Sequence, residues 1–160
     1  MSIQLLLREH QDIGYVSAKG REFKIIYQEG GDLENFSLLA VEIVDGHPRV
    51  AGTYKSDKVG EESRFHDFLD LPRGRELSFP YTHVSQQFRG NGLSQALFDV
   101  AVRELRSREA VDIAAFTRDG MRFSQPRHRA EGYEPLDIVG EIPEDFQGLT
   151  DWMVKDYREI

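Results

Sequence analysis

Apolar positions fall into short, mostly strand-like runs in the first half of this chain and into one long helical pattern in the second. Residues 23–28 (Phe-Lys-Ile-Ile-Tyr-Gln) are rich in β-branched and aromatic side chains and end at Gly30-Gly31, which predicts a strand closed by a turn. Residues 38–44 and 49–55 flank Asp45-Gly46, the arrangement of a β-hairpin, with Val50 and Tyr54 at its β-branched and aromatic positions. The apolar residues 3–7 fit a short strand or the start of a helix. Residues 56–75 are polar and charged, anchored only by Phe65, Phe68, Leu69 and Leu71. They predict a short helix over 61–69 and a turn at Pro72-Arg73-Gly74.

Residues 76–84 predict a strand. Alternation places Glu76, Ser78, Pro80, Thr82 and Val84 on one face, and Leu77, Phe79, Tyr81 and His83 on the other. Leu93, Leu97, Val100, Ala101 and Leu105 share one face at helical spacing, which predicts a helix over 92–108. Residues 111–116 form an apolar run of the kind found in parallel sheets. Residues 121–130 read as a short helix interrupted by Pro126. Residues 133–139 and 152–157 read as a closing pair of strands. No repeat or low-complexity segment intervenes, so the expectation is one α/β domain over residues 1–160.

Composition narrows the chemistry. The chain has no cysteine, which excludes a disulfide scaffold, a thiolate metal site and a cysteine nucleophile, and fits a cytoplasmic location. No apolar run approaches the roughly 20 residues of a membrane span, and no signal peptide opens the chain, so no membrane partner is expected. The five histidines are scattered without metal-ligand spacing, so no metal is expected. A net charge of −8 argues against nucleic acid as the main partner. The charge is uneven, however. Residues 89–129 hold eight arginines against five acids, which leaves −11 on the remainder. A basic island in an acidic chain suits an anionic cofactor beside a cationic substrate, and equally suits solvated helix faces.

The anion site is expected where the strand over 76–84 meets the following helix. Gln87, Phe88, Arg89, Gly90, Asn91, Gly92, Leu93 and Ser94 form a glycine-bearing turn at a helix start, where unpaired N–H groups and the helix dipole favour a pyrophosphate. Glycine lets the backbone reach positive φ and lets a ligand approach closely. Gln87-Phe88-Arg89-Gly90-Asn91-Gly92 resembles the Gln/Arg-x-x-Gly-x-Gly/Ala signature of the GNAT superfamily of acyl-CoA-dependent N-acetyltransferases. The flanks agree: Val84 falls where that family ends its fourth strand, and Leu93, Ala96 and Leu97 continue as its next helix. The resemblance covers roughly residues 23–157. It implies a mixed, mostly antiparallel twisted sheet with a splayed pair of parallel central strands, flanked by helices. It also implies acetyl-CoA as cofactor, held by the backbone of Thr82, His83 and Val84 and by residues 87–94, with Arg89 and one of Arg122, Arg127 or Arg129 at the outer phosphates.

The resemblance further implies transfer of the acetyl group to a primary amine by direct attack. The acceptor would be a cationic small molecule, or a lysine or N-terminus of a protein. The amine must lose a proton, the oxyanion needs donors, and the departing thiolate needs an acid. Glu76 stands eleven residues before Gln87, the spacing of the catalytic glutamate in the histone-acetylating branch of the family. It is the candidate base, or else the exposed first residue of a strand. His83 is the alternative base, or a wall histidine. The family's tyrosine acid, in Tyr-x-x-x-Gly-Phe, is replaced by His128 ahead of Gly132-Tyr133. The family's oxyanion donor falls on or beside Pro80, which has no N–H, so the N–H of Tyr81 would have to serve. Residues 28–37 also leave no room for the family's two helices after its first strand, and the insert at 56–75 would take over part of their role. These departures leave a second reading open, a non-catalytic GNAT-like module that binds a protein partner. Residues 152–157 are apolar enough to pair with a second chain, which would make a homodimer.

Overall fold

The computed structural model describes residues 11–44 and 46–158, so residues 3–7 and Asp45 lie outside the described residues. The chain forms β1 (Gln11–Ala18), β2 (Arg21–Glu29), β3 (Glu34–Val44), β4 (His47–Lys58), the one-turn helix α1 (Phe65–Phe68) and β5 (Leu77–Val84). It continues through the long helix α2 (Leu93–Ser107), β6 (Val111–Phe116), α3 (Gly120–Glu131), β7 (Glu134–Pro135) and β8 (Thr150–Asp156). Hydrogen bonding orders the sheet β1-β2-β3-β4-β5-β6-β8-β7. β1 to β4 pair antiparallel, as do β6 with β8 and β8 with β7. β5 and β6 pair in parallel, at Leu77↔Val111 and Ser78↔Asp112. The expected mixed, mostly antiparallel sheet with a parallel central pair is therefore present.

Two compact units divide the chain: the part up to Asp57 with Pro80–Glu104, and Lys58–Phe79 with the part from Leu105 on. In the first unit the β2 residues Phe23, Ile25 and Ile26 are buried with Phe36, Leu38, Ala40 and Val41 of β3. The predicted face of α2 (Leu93, Leu97, Val100, Ala101) is buried with them. In the second unit Val59, Phe68, Leu69, Leu71, Leu77, Val111, Ile113 and Trp152 form one core. Phe65, Phe79 and Phe146 pack around Trp152 with ring centroids 5.8–6.3 Å from it.

Several predicted boundaries shift for physical reasons. β1 was not expected at all. Gly14 sits at φ +144° beside a register shift, and Tyr15 faces solvent, so this strand shows no clean alternation. The helix expected over 61–69 is only Phe65–Phe68, because Leu69 turns extended and bridges Ile138. That bridge also shortens the strand expected over 133–139 to Glu134–Pro135. Val139 N–H donates to Phe68 O and Asp70 N–H to Asp137 O, so residues 137–139 join the insert instead. Pro126 does not interrupt α3, which runs unbroken past it. The ring removes one helical hydrogen bond, but the end of the helix is firmly closed. Gly132 takes a left-handed cap at φ +105°, its N–H meets the His128 and Arg129 carbonyls, and Tyr133 N–H also bonds His128 O.

The link between β2 and β3 is the short turn over residues 30–33, with no helix in it. β8 is paired on both sides, with β6 along its length and with β7 at Val154 and Met153.

Candidate functional site

In the first unit β5 ends at Val84 and leads through a 3-10 turn, Gln86–Phe88, into Arg89-Gly90-Asn91-Gly92 and α2. Gly90 and Gly92 adopt φ +78° and +82°, and a Cβ at either would meet nothing within 4 Å. Glycine is required here for backbone conformation, and the space over the turn is open. No acidic residue occupies the first turn of α2. The first N–H groups of a helix have no partner within it, so this turn offers donors and the positive dipole end to an anion. Asn91 Nδ2 donates to Phe88 O at 3.3 Å and Arg89 Nε donates to Val84 O at 3.0 Å, which pins the turn to the strand it leaves. The geometry fits a pyrophosphate held by backbone N–H groups.

The cradle rests on a packed floor. Phe88 is buried, edge-on to Phe23 at 5.8 Å, with the Arg21 guanidinium 4.7 Å above its ring. Arg21 makes a two-pronged bond to Glu42 (2.7 and 2.5 Å), which holds the Glu42 carboxyl below its ordinary range. Phe88 and Leu93 can therefore serve a ligand only through their backbone. Gly52 of β4 lies beneath the end of β5: a Cβ there would stand 2.9 Å from His83 O and 3.3 Å from Leu97 Cδ1. Sequence reading missed Gly52, since its only signal is a glycine inside a strand pattern.

β5 does not carry the alternating faces expected of it. Leu77 and Ser78 are both buried, whereas Tyr81, Thr82 and His83 are all exposed. His83 is thus neither a core nor a wall residue; the last turnings of the strand leave both faces to solvent.

Glu76, in the second unit, immediately precedes β5. Its backbone O accepts from Val111 N–H (2.9 Å), and its Oε1 accepts from Arg108 at 3.2 Å. The carboxylate is one-third exposed and committed to that ion pair. Arg75 nearby in sequence makes a two-pronged bond to Asp156, holding that carboxyl down at about 2. Arg129 lies 3.8 Å from Asp151.

His128 occupies the last turn of α3, half-buried. Its Nδ1 lies 2.8 Å from Ser124 O. A carbonyl only accepts, so Nδ1 carries the proton and Nε2 the lone pair of the neutral ring. Burial pushes its pKa down, with Arg127 adding to the effect and the Ser124 bond opposing it. The ring meets Phe116 and Tyr133 edge-on at 5.0 and 4.7 Å. Tyr133 Oη donates to Asp112 Oδ2, and Ser78 Oγ donates to Asp112 Oδ1, both at 2.5 Å. Asp112 is wholly buried, and burial pushes its carboxyl up to about 7 against the pull of both hydroxyls. This cluster was not legible as a site; Asp112 read simply as one polar residue in an apolar strand.

No family model matches the sequence, and no curated protein does. Solved structures do match the fold. A GNAT-family acetyltransferase from Listeria monocytogenes superposes with TM-score 0.58 at 12% identity, over 89% of this chain and 99% of that one. The fold is that of the GNAT acetyltransferases. YncA of Salmonella typhimurium, solved with acetyl-CoA, superposes with TM-score 0.52 at 16% identity over 78% of this chain and 66% of its own. Arabidopsis thaliana NAA60, also solved with acetyl-CoA, gives 0.52 at 18% over 78% and 75%. The parallel β5–β6 pair is the one expected of this fold. No helix lies between β2 and β3, where the resemblance implied two.

Among the described residues no group of side chains is set to hold a metal, and no helix is long and apolar enough to cross a membrane.

Proposed function

We propose that this chain binds acetyl-CoA and transfers its acetyl group to a primary amine. The observation that carries this is the cradle of the first unit: two positive-φ glycines, open space above them, and an acid-free helix start directly after β5. The backbone of Thr82, His83 and Val84 would run beside the pantetheine arm, and the N–H groups of residues 87–94 would hold the pyrophosphate. The amine attacks the thioester carbonyl carbon directly, since no cysteine exists to form an acyl-enzyme. The C–S bond then breaks, and the thiolate takes up a proton. Glu76 is the proposed base and His128 the proposed proton carrier. In this reading Glu76 takes the proton of the ammonium form before attack, and His128 takes the second proton of the attacking nitrogen and passes it to the departing thiolate. The acidic remainder of the chain favours a cationic acceptor, either a small polyamine-like molecule or a basic protein terminus or lysine.

The ion pair of Glu76 with Arg108 favours the second reading, a module that binds a partner without catalysis, because a committed carboxylate is a poor base. Calorimetry with acetyl-CoA decides the first step. Micromolar binding by the native chain, lost in Gly90→Glu with Gly92→Glu, supports the cofactor site. Turnover of any amine then removes the non-catalytic reading, and absence of binding to the native chain sinks the acetyltransferase.

A further inference from the structure

Asp112 is where a chain of hydroxyls in the second unit converges. Ser78 and Tyr133 each donate to one of its oxygens, and Tyr157 Oη donates to Tyr133 Oη at 3.1 Å. Both hydroxyls donate to Asp112, so the Tyr133 hydroxyl has its direction fixed by it. Tyr133 in turn grips His128 twice. Its N–H bonds the His128 carbonyl at 3.0 Å, and its ring meets the imidazole edge-on at 4.7 Å. With Nδ1 tied to Ser124 O, the imidazole is held in one orientation and one tautomer.

We infer that Asp112 is a positioning residue for His128: it fixes Tyr133 by a hydrogen bond, and Tyr133 fixes the imidazole. The catalytic meaning of this rests on the acetyltransferase reading; the coupling of Asp112 to His128 does not. The groups facing Asp112 are Ser78 from β5 and Tyr133 beyond α3, with Tyr157 behind Tyr133. Facing His128, among others, are Ser124 and Arg127 of its own helix, Phe116 of β6 and Tyr133. A carboxylate used only as a structural staple would change stability on replacement and leave the state of the imidazole alone.

The test uses the full chain, native and with Asp112→Asn or Tyr133→Phe. The second variant keeps the ring and removes only the hydroxyl, so it guards against a failure of the first to fold. Two-bond proton–nitrogen spectra of the histidines report the His128 tautomer and its titration without requiring turnover. Both variants should move the His128 midpoint by about half a pH unit or more and raise the share of the other tautomer. With a diamine as acceptor they should lower kcat by about tenfold to a hundredfold, as a misplaced proton carrier does, with the KM for acetyl-CoA unchanged. A native-like His128 titration and tautomer in both folded variants overturns the inference. A native chain that acetylates no amine overturns the acetyltransferase reading instead, and the spectra still decide the coupling.

Discussion

Ser78 and Asp112 are joined twice. Their backbones form a register pair of the parallel β5–β6 ladder, and the Ser78 hydroxyl donates to the Asp112 carboxylate at 2.5 Å. A charge buried in a sheet is costly unless it is hydrogen-bonded, and here two hydroxyls meet it while burial still raises its pKa to about 7.

That shift makes a signed prediction about stability. The carboxyl of Asp112 titrates near 3.9 when unfolded and near 7 when folded. The folded state therefore holds the proton more tightly, and the stability this contributes is complete below about pH 4 and lost as the pH rises through 7. Asp112→Asn cannot titrate. The Tm of the native chain minus that of Asp112→Asn should be larger at pH 5 than at pH 8, by thermal melts in matched buffers. A difference that stays constant across this window would show that Asp112 is ionised throughout.

His128 bears on the same window with the opposite sign. Burial lowers its pKa, so the unfolded chain binds the proton more readily. Its contribution to stability is present above about pH 6.5 and is lost as the pH falls. Its titration midpoint in the folded native chain, followed by its ring signals, should lie below about 6.5. A midpoint above that value would mean that the ring is better solvated than its packing against Phe116 and Tyr133 implies.

Much of this fold was legible because its signals are local. The β3–β4 hairpin, the face of α2 and the Gln87–Gly92 turn each follow from a few neighbouring residues. What stayed hidden depends on residues distant in sequence. Leu69 pairs with Ile138, which shortens both a helix and a strand. Pro126 is tolerated because the Gly132 cap and the Tyr133–Asp112 bond close the helix end from outside it. The faces of β5 could not be read from alternation, because neighbouring side chains share the same exposure, buried at Leu77 and Ser78 and exposed from Tyr81 to His83. The glycine turn after β5 was visible as a turn, whereas Arg108 beside Glu76 appears only once the chain is folded.

Gly90 and Gly92 should be costly to replace for a conformational reason, not a steric one. Alanine at either position adds a Cβ that meets nothing within 4 Å, yet it must adopt a left-handed backbone. The expected loss is about 1–2 kcal/mol each in chemical denaturation. Acetyl-CoA binding should weaken with it, since the N–H groups of the turn would no longer converge. Gly148→Ala, in equally open space and without positive φ, should cost little. Equal costs at all three positions would show that the two turn glycines carry no special constraint.

Gly52 supplies the complementary case, in which space decides. A Cβ on β4 at this position would stand 2.9 Å from the backbone O of His83 and 3.3 Å from Leu97 Cδ1. A flexible side chain could yield, but the backbone of a paired strand cannot move alone. Gly52→Ala should therefore push the end of β5 or the α2 residue Leu97 outward, at an overpacking cost of about 1–3 kcal/mol. Because Val84 and the turn over 85–92 follow directly from that strand end, the displacement should also weaken acetyl-CoA binding. Denaturation and calorimetry on the same preparation separate the two effects. A destabilised variant that binds acetyl-CoA with native affinity would show that the cradle holds its shape through Arg89, Asn91 and the Phe88 floor, without help from the close packing of β4 against β5.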